Sequence, residues 1–362
     1  MKTERRVFIT DCEGPISKND NAFELMSRIV PKGDRLFTLI SRYDDVLADI
    51  VKKLGYKAGD TLKLILPFLR AYGATDDLLR KYSSQNVLLV PGADETLKYV
   101  NSLMPSFIVS TSYEQYITSL CDIIKFPKEN TYCTRLDIDK YRLSEEEIVK
   151  LKNICEEISL MPMIEVPEIA VSMDSFPKES KATVQRLDEI FWKEVSNMQA
   201  GKMFKEVNPV GGFEKANAVK DIVKKTNVSL SDVIYVGDSI TDVDPFRLVR
   251  KAGGLTVSFN GNRYAVREAE IAVMSHHTDI TTVLADVFNR FGKQKVLELV
   301  ENWYLNALRP LCDPSLFRKF RTLYPEKAPI IKRITADNMD KISTESSIFR
   351  KTVRGEAIGK LG

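Results

Sequence analysis

The sequence predicts an α/β protein built on a doubly wound parallel sheet, which carries a helical insert, a second α/β insert and a helical C-terminal extension. Three observations predict it. Short apolar, β-favouring runs recur at Val7-Phe8-Ile9, Phe107-Ile108-Val109, Val233-Ile234-Tyr235-Val236, Leu255–Phe259 and Ile271–Met274. Helical patterns lie between them, and strands that alternate with helices imply a parallel sheet covered on both faces. Several runs also end abruptly in polar residues, at the carboxyl ends of strands where open α/β sheets bind their ligands.

The first run stops at Asp11-Cys12-Glu13-Gly14-Pro15, which sets two carboxylates at i, i+2 ahead of a Gly-Pro break. Residues 17–87 then read as a helical insert. A stripe of Leu36, Ile40, Tyr43, Leu47, Ile50 and Leu54 predicts a helix over residues 34–54, with Asp34 as its N-cap. A second helix starts near Asp60-Thr61 and is interrupted by Pro67, and a third begins at Thr75-Asp76-Asp77. These stripes read as packing surfaces.

A helix over residues 93–103 leads to the second strand, which ends in Ser110-Thr111-Ser112 before another helical pattern. Residues 128–204 form the second insert. It contains a helix over 143–158 with a capping-box-like start at Ser144-Glu145-Glu146-Glu147, an extended piece over 166–171 and a helix over 180–195. The sheet pattern returns with an amphipathic helix over 215–225 and a strand that ends in Gly237-Asp238-Ser239-Ile240-Thr241-Asp242. The core is therefore expected in residues 1–16, 88–127 and 205–285, with a helical extension over 286–329. Residues 330–362 are polar, basic and aperiodic and read as a disordered tail. Their few apolar residues (Ile342, Ile348, Phe349, Val353) are too sparse for a core but able to order against a partner.

Composition narrows the function classes. At 44% hydrophobic and 28% charged the chain has ample material for a globular core. No stretch approaches the roughly 18 consecutive apolar residues of a membrane span. The N-terminus runs into the first strand without a signal-peptide apolar region. The five cysteines are scattered, odd in number and free of C-x-x-C pairs, which argues for a reducing cytoplasm rather than disulfides or zinc. From Asp313 onward there are 11 Lys and Arg against 6 Asp and Glu, whereas the rest carries 42 against 44. A near-neutral body speaks against nucleic-acid binding, while the basic tail leaves room for a protein partner.

Four features line up in order: D-C-E-G-P at Asp11, F-I-V-S-T at Ser110, the lysine of G-F-E-K-A-N-A-V-K, and Y-V-G-D-S-I-T-D at Asp238. This set resembles the haloacid dehalogenase-like hydrolase superfamily, mostly phosphatases and phosphotransferases on a Rossmann-like core. The later run G-L-T-V-S-F-N-G-N also looks like its phosphoserine-phosphatase-type members. The resemblance covers residues 5–15, 88–125 and 205–285, and the first insert sits where many of these enzymes carry a cap. It implies Asp11 as nucleophile, Glu13 as acid and base, and Lys215 as a charge beside the transferring group. It also implies Ser110, with Thr111, as phosphate-binding hydroxyls, and Mg²⁺ held by Asp11, Asp238, Asp242 and the Glu13 carbonyl. The substrate expected is a small phosphorylated metabolite.

The chemistry agrees with these roles. An attacking aspartate splits hydrolysis into two easier displacements, and phosphoryl transfer depends chiefly on positioning and electrostatics. Two facing aspartates call for a cation, and hard oxygen ligands suit Mg²⁺. Ser110 can also be read as a cap of the following helix. Lys220 competes with Lys215, but the K-A-N-A-V spacing at the helix start favours Lys215. Asp244 reads as a solvated carboxylate. Adjacent strand residues such as His276-His277 point to opposite faces and do not make a metal pair.

Two residues depart from the phosphatase pattern, which has aspartate and threonine where this chain has Glu13 and Pro15. Glu13 is one methylene longer, so it must fold back to bring its oxygen within about 3 Å of the proton it transfers. Pro15 removes a hydroxyl and a backbone donor. The D-x-E-G-P variant looks most like an archaeal group, some of whose members are labelled an accessory subunit (subunit R) of energy-converting hydrogenase A. That label is a partner role rather than a reaction. The departures at Glu13 and Pro15 together with the basic tail motivate the rival reading, a binding or assembly subunit with the tail as its docking segment.

Overall fold

The computed structural model describes residues 5–167, 170–326 and 328–361. Among these, one seven-stranded sheet runs in the order β3-β2-β1-β4-β5-β6-β7. Its strands are β1 (Val7–Thr10), β2 (Ser106–Tyr113), β3 (Thr131–Thr134), β4 (Val233–Gly237), β5 (Leu255–Phe259), β6 (Ile271–Met274) and β7 (Ile330–Arg333). All neighbours are parallel except β6 and β7. Every residue of β1 and β4 is buried, as continuous apolar runs require when helices cover both faces.

The first insert holds α1 (Asn21–Ile29), α2 (Gly33–Asp45), α3 (Thr61–Leu64), α4 (Leu66–Ala71) and α5 (Asp76–Gln85). The predicted helix over 34–54 is shorter than its stripe implied. Lys32, in the left-handed region, precedes it in place of Asp34, and a π-turn over Val46–Ile50 ends it. Leu54 is fully exposed. Pro67 lies in the first turn of α4, where its missing N–H costs nothing. Thr75 caps α5 as expected.

α6 (Ala93–Leu103) and α7 (Glu114–Ile124) flank β2. The second insert departs from its expected boundary, because β3 pairs with β2 and carries the sheet to residue 134. Beyond it come α8 (Glu145–Leu160), capped by Ser144, then α9 (Lys178–Glu189) and α10 (Lys202–Glu206), so among the described residues the insert is helical rather than α/β, its one strand belonging to the core sheet. Of the extended piece over 166–171, residues 168 and 169 lie outside the described residues. Val166 and Ala170 pack on the insert core.

The two inserts share one apolar cluster that joins Leu36, Ile40, Phe68, Leu151, Ile158 and Phe191. Polar bonds stitch them together. Arg35 Nε donates to the Ser159 carbonyl (2.7 Å), Arg42 to that of Ile164 (2.8 Å), and Tyr43 OH to Asp188 (2.6 Å). They are therefore one cap, assembled from two crossovers of the core.

The remaining helices are α11 (Phe213–Thr226), α12 (Val243–Lys251), α13 (Arg263–Glu268), α14 (Asp279–Phe291), α15 (Lys293–Glu301), α16 (Pro314–Leu323), α17 (Met339–Arg354) and α18 (Glu356–Gly359). α11, α12 and α13 cover one sheet face, and α6, α7, α14, α15 and α16 cover the other. No helix among the described residues is long and apolar enough to cross a membrane.

The reading of residues 330–362 as a disordered tail is corrected. β7 pairs along β6, α17 buries Ile342, Ser346 and Arg350, and Leu361 joins the apolar core of the cap. Sparse apolar residues suffice here because the sheet edge supplies main-chain partners and the helix buries a largely polar stripe.

Candidate active site

The strand order reverses direction between β1 and β4, which opens a crevice at their carboxyl ends. The register pairs Thr10 with Val236, and Asp11 N donates to the Val236 carbonyl (2.8 Å), so Asp11 and Asp238 leave the sheet side by side.

Asp11 Oδ1 accepts from the Cys12 N–H (2.6 Å) and Oδ2 from Lys215 Nζ (2.5 Å). Lys215 lies in the first turn of α11 and is fully buried, whereas Lys220 is exposed. Its ammonium also reaches Asp242 Oδ1 (2.8 Å), which accepts from Tyr235 OH as well (2.8 Å). Asp242 Oδ2 accepts the N–H groups of Asp238 (2.9 Å) and Ser239 (3.1 Å). With both oxygens doubly engaged, Asp242 fixes the turn and the lysine. Gly237 is needed for this, since a Cβ there would stand 2.4 Å from Asp242 Cγ.

Burial pushes the Asp11 carboxyl up to about 7. The Lys215 ammonium pulls it down, and Asp242 and Asp238 add to the rise. Burial alone would lower Lys215, but Asp11 and Asp242 outweigh it and the net direction is up, so the ammonium keeps its proton.

Asp238 packs against Gly14, whose φ is +105° and whose Cβ would fall 2.1 Å from Asp238 Oδ2. A side chain at 14 is excluded both by conformation and by space. Asp238 Oδ2 accepts from Arg350 Nη1 and from Arg354 Nη1 (3.2 Å), both on α17.

Ser110 falls within β2, where the pairing with β3 shifts register. Its hydroxyl bonds Ser112 Oγ (3.1 Å) and accepts the Ser112 N–H (3.2 Å). α7 starts after Tyr113 with no side-chain cap, so Ser110 does not cap it. Thr111 lines the same cavity, but its hydroxyl donates to the Val210 carbonyl (3.0 Å).

Glu13 is half-buried, and Oε1 accepts the Asn21 N–H at the start of α1 (2.7 Å). Burial raises its carboxyl well above the usual range and Asp20 adds to the rise. Pro15 sits in a turn closed by the N–H groups of Gly14, Ile16 and Ser17, where its own missing donor leaves no gap.

Asp11, Glu13, Ser110, Thr111 and Asp238 line one cavity of about 100 Å³. The cap closes it with Asp44, Asp45 and Thr61. One oxygen from each of Asp11, Asp238 and Asp242 lies within 4.8 Å of the others. Hard oxygens of this kind suit Mg²⁺, which Asp11 and Asp238 would hold through carboxylate oxygens while Asp242 stays committed to Lys215, Tyr235 and the turn. The two histidines lie in the bend after β6 rather than on a strand, and they face different partners: His276 lies against Phe349 (ring centroids 4.6 Å apart) and His277 bonds Asp279.

Sequence reasoning missed Arg350, Arg354, Tyr235 and the cap carboxylates. The signal for the arginines was their i, i+4 spacing behind Ile342 and Ser346, a stripe that hydrophobic periodicity does not register.

The family model for haloacid dehalogenase-like hydrolases matches residues 92–308. The chain belongs to that family. Over 99% of both chains this haloacid dehalogenase-like hydrolase is 25% identical to the gene product AF1437 from Archaeoglobus fulgidus, with a TM-score of 0.80. A phosphoserine phosphatase in apo form is 12% identical over 76% of this chain and 96% of that one (TM-score 0.41). A substrate-bound phosphoserine phosphatase complex gives the same identity and coverage with a TM-score of 0.44. No curated protein matches the chain.

Proposed function

We propose that this hydrolase is a Mg²⁺-dependent phosphoric-monoester hydrolase that acts on a small phosphorylated metabolite through an aspartyl-phosphate. One observation carries the reading: Asp11, at the end of the central strand, is bonded at 2.5 Å to a fully buried lysine and shares a cavity with Ser110 and Asp238. An Asp11 oxygen attacks phosphorus, the bond to the leaving oxygen breaks, and that oxygen takes a proton from Glu13. Water then attacks the phosphorus and gives a proton to Glu13 as the bond to Asp11 breaks. A buried carboxyl raised above its usual range is suited to begin as the acid. Lys215 and the Ser110 hydroxyl stabilise charge on the transferring group. Mg²⁺ held by Asp11, Asp238 and the Glu13 carbonyl would neutralise charge at the phosphoryl oxygens. Wild type is expected to release phenol from an aryl phosphate with millimolar Mg²⁺. No turnover on that compound or on a panel of phosphorylated metabolites would overturn the reading.

The metal has its own test. Millimolar Mg²⁺ is expected to raise the melting temperature of the wild type, by linkage to the native state, and Asp238→Asn to abolish the rise. A wild type indifferent to Mg²⁺ argues against the site.

The contact between Arg350 and Asp238 favours a second reading, in which the fold serves as a binding or assembly subunit and a guanidinium neutralises the metal position. Glu13→Asp discriminates the two. An enzyme with a stretched acid is expected to turn over as fast or faster once shortened. A scaffold leaves wild type and Glu13→Asp equally inactive.

A further inference from the structure

The cavity before Asp11 has an unbalanced wall. Among the described residues that line it, six carboxylates (Asp11, Glu13, Asp20, Asp44, Asp45, Asp238) face two cationic side chains, Arg350 and Arg354. Lys215 stands behind Asp11, with its ammonium committed to Asp11 and Asp242. A phosphomonoester dianion that enters this space finds the two guanidiniums as the cationic side chains among the described residues of the wall.

Both arginines project from one face of α17, four residues apart, with side chains only 3% and 4% exposed. A buried charge is costly unless paired and hydrogen-bonded. Yet the two guanidiniums converge on a single carboxylate oxygen, Asp238 Oδ2, and Arg350 Nε is buried with no hydrogen-bond partner among the described residues. Arg354 is aimed by its other nitrogens, Nε to the Lys18 carbonyl (3.1 Å) and Nη2 to that of Asn19. One oxygen of the Asp238 carboxylate stands within 4.8 Å of an Asp11 oxygen, so the carboxylate that gathers both guanidiniums lies beside the nucleophile, and both arginines line the same cavity. A guanidinium fork matches phosphate oxygens in a way that an ammonium does not.

We propose that Arg350 and Arg354 are substrate-binding residues, which α17 delivers into the cavity to hold the phosphoryl oxygens of the substrate while Asp11 attacks. The proposal rests on the phosphatase reading and adds to it a site segment from the far end of the chain. A cation on Asp238 would compete with Arg350 for Oδ2, and the arginine freed there would turn its N–H groups to the phosphoryl group.

The test is calorimetric titration of wild type, Arg350→Gln and Arg354→Gln, with Mg²⁺ alone and, in Mg²⁺-saturated protein, with inorganic phosphate. Either substitution is expected to weaken phosphate roughly tenfold or more, the worth of one charge-assisted bond, and to raise KM for the aryl phosphate in parallel. Arg350→Gln is expected to bind Mg²⁺ as tightly or more tightly, because Asp238 Oδ2 is released. A purely structural role would weaken both ligands together, and that result overturns the proposal, as does unchanged phosphate affinity in both variants. If phosphate weakens tenfold while the wild type hydrolyses nothing, the anion site stands and the phosphatase reading falls. If the wild type hydrolyses and phosphate binding is unmoved, the reverse holds.

Discussion

Asp11→Asn is expected to lower aryl-phosphate turnover by at least about a thousandfold, because it removes the atom that bonds to phosphorus. The substitution preserves shape but not acceptors. Asp11 takes one bond from Cys12 N and one from Lys215, and an amide offers a single oxygen to those two donors. Lys215 keeps Asp242 as its partner, so the fold is expected to hold. Losing a carboxyl that burial has already raised to about 7 offsets part of the cost near neutral pH. The melting temperature should therefore move by only a few degrees, and inorganic phosphate should still bind. Residual turnover equal to that of wild type would show that the measured hydrolysis does not pass through Asp11.

Much of this site was legible in the sequence, for a physical reason. Asp11 and Asp238 each sit one step beyond a strand and Lys215 in the first turn of a helix, where local pattern and chemistry coincide, whereas Ser110 stands inside β2, which runs on to Tyr113. The strands were legible because central parallel strands are short, apolar and bounded by polar turns. β5 and β6 match the expected ranges residue for residue. The cap was legible as helices but not as one body, since the bonds from Arg35, Arg42 and Tyr43 join segments more than 120 residues apart. α17 was hidden because the residues it buries include Ser346 and Arg350, which carry no apolar signal. Asp242 was legible as a site carboxylate, but its commitment to four donors depends on the turn geometry after β4.

Lys215→Met is expected to cost both stability and activity, with a loss that grows with pH. Methionine fits the buried channel but leaves Asp11 and Asp242 without their shared cation. Breaking a buried pair in this way typically costs about 3–5 kcal/mol. The pH dependence follows from linkage. Burial already raises Asp11 from 3.8 to about 7, and removing the ammonium that pulls it down moves it higher. The native variant then holds a proton that the unfolded chain releases near 3.8, so it loses stability as pH rises from there to its raised folded value. The wild type shares that loss up to about 7, and the difference between the two opens above about 7. In EDTA the drop in melting temperature relative to wild type should be small at pH 5 and large at pH 8. Turnover with Mg²⁺ should fall by about a hundred- to a thousandfold, the usual consequence of losing one preorganised donor to the transition-state charge. An equal drop in melting temperature at both pH values would show that Lys215 does not hold Asp11 in its charged form. A Lys215→Met protein with wild-type turnover would remove the lysine from the mechanism.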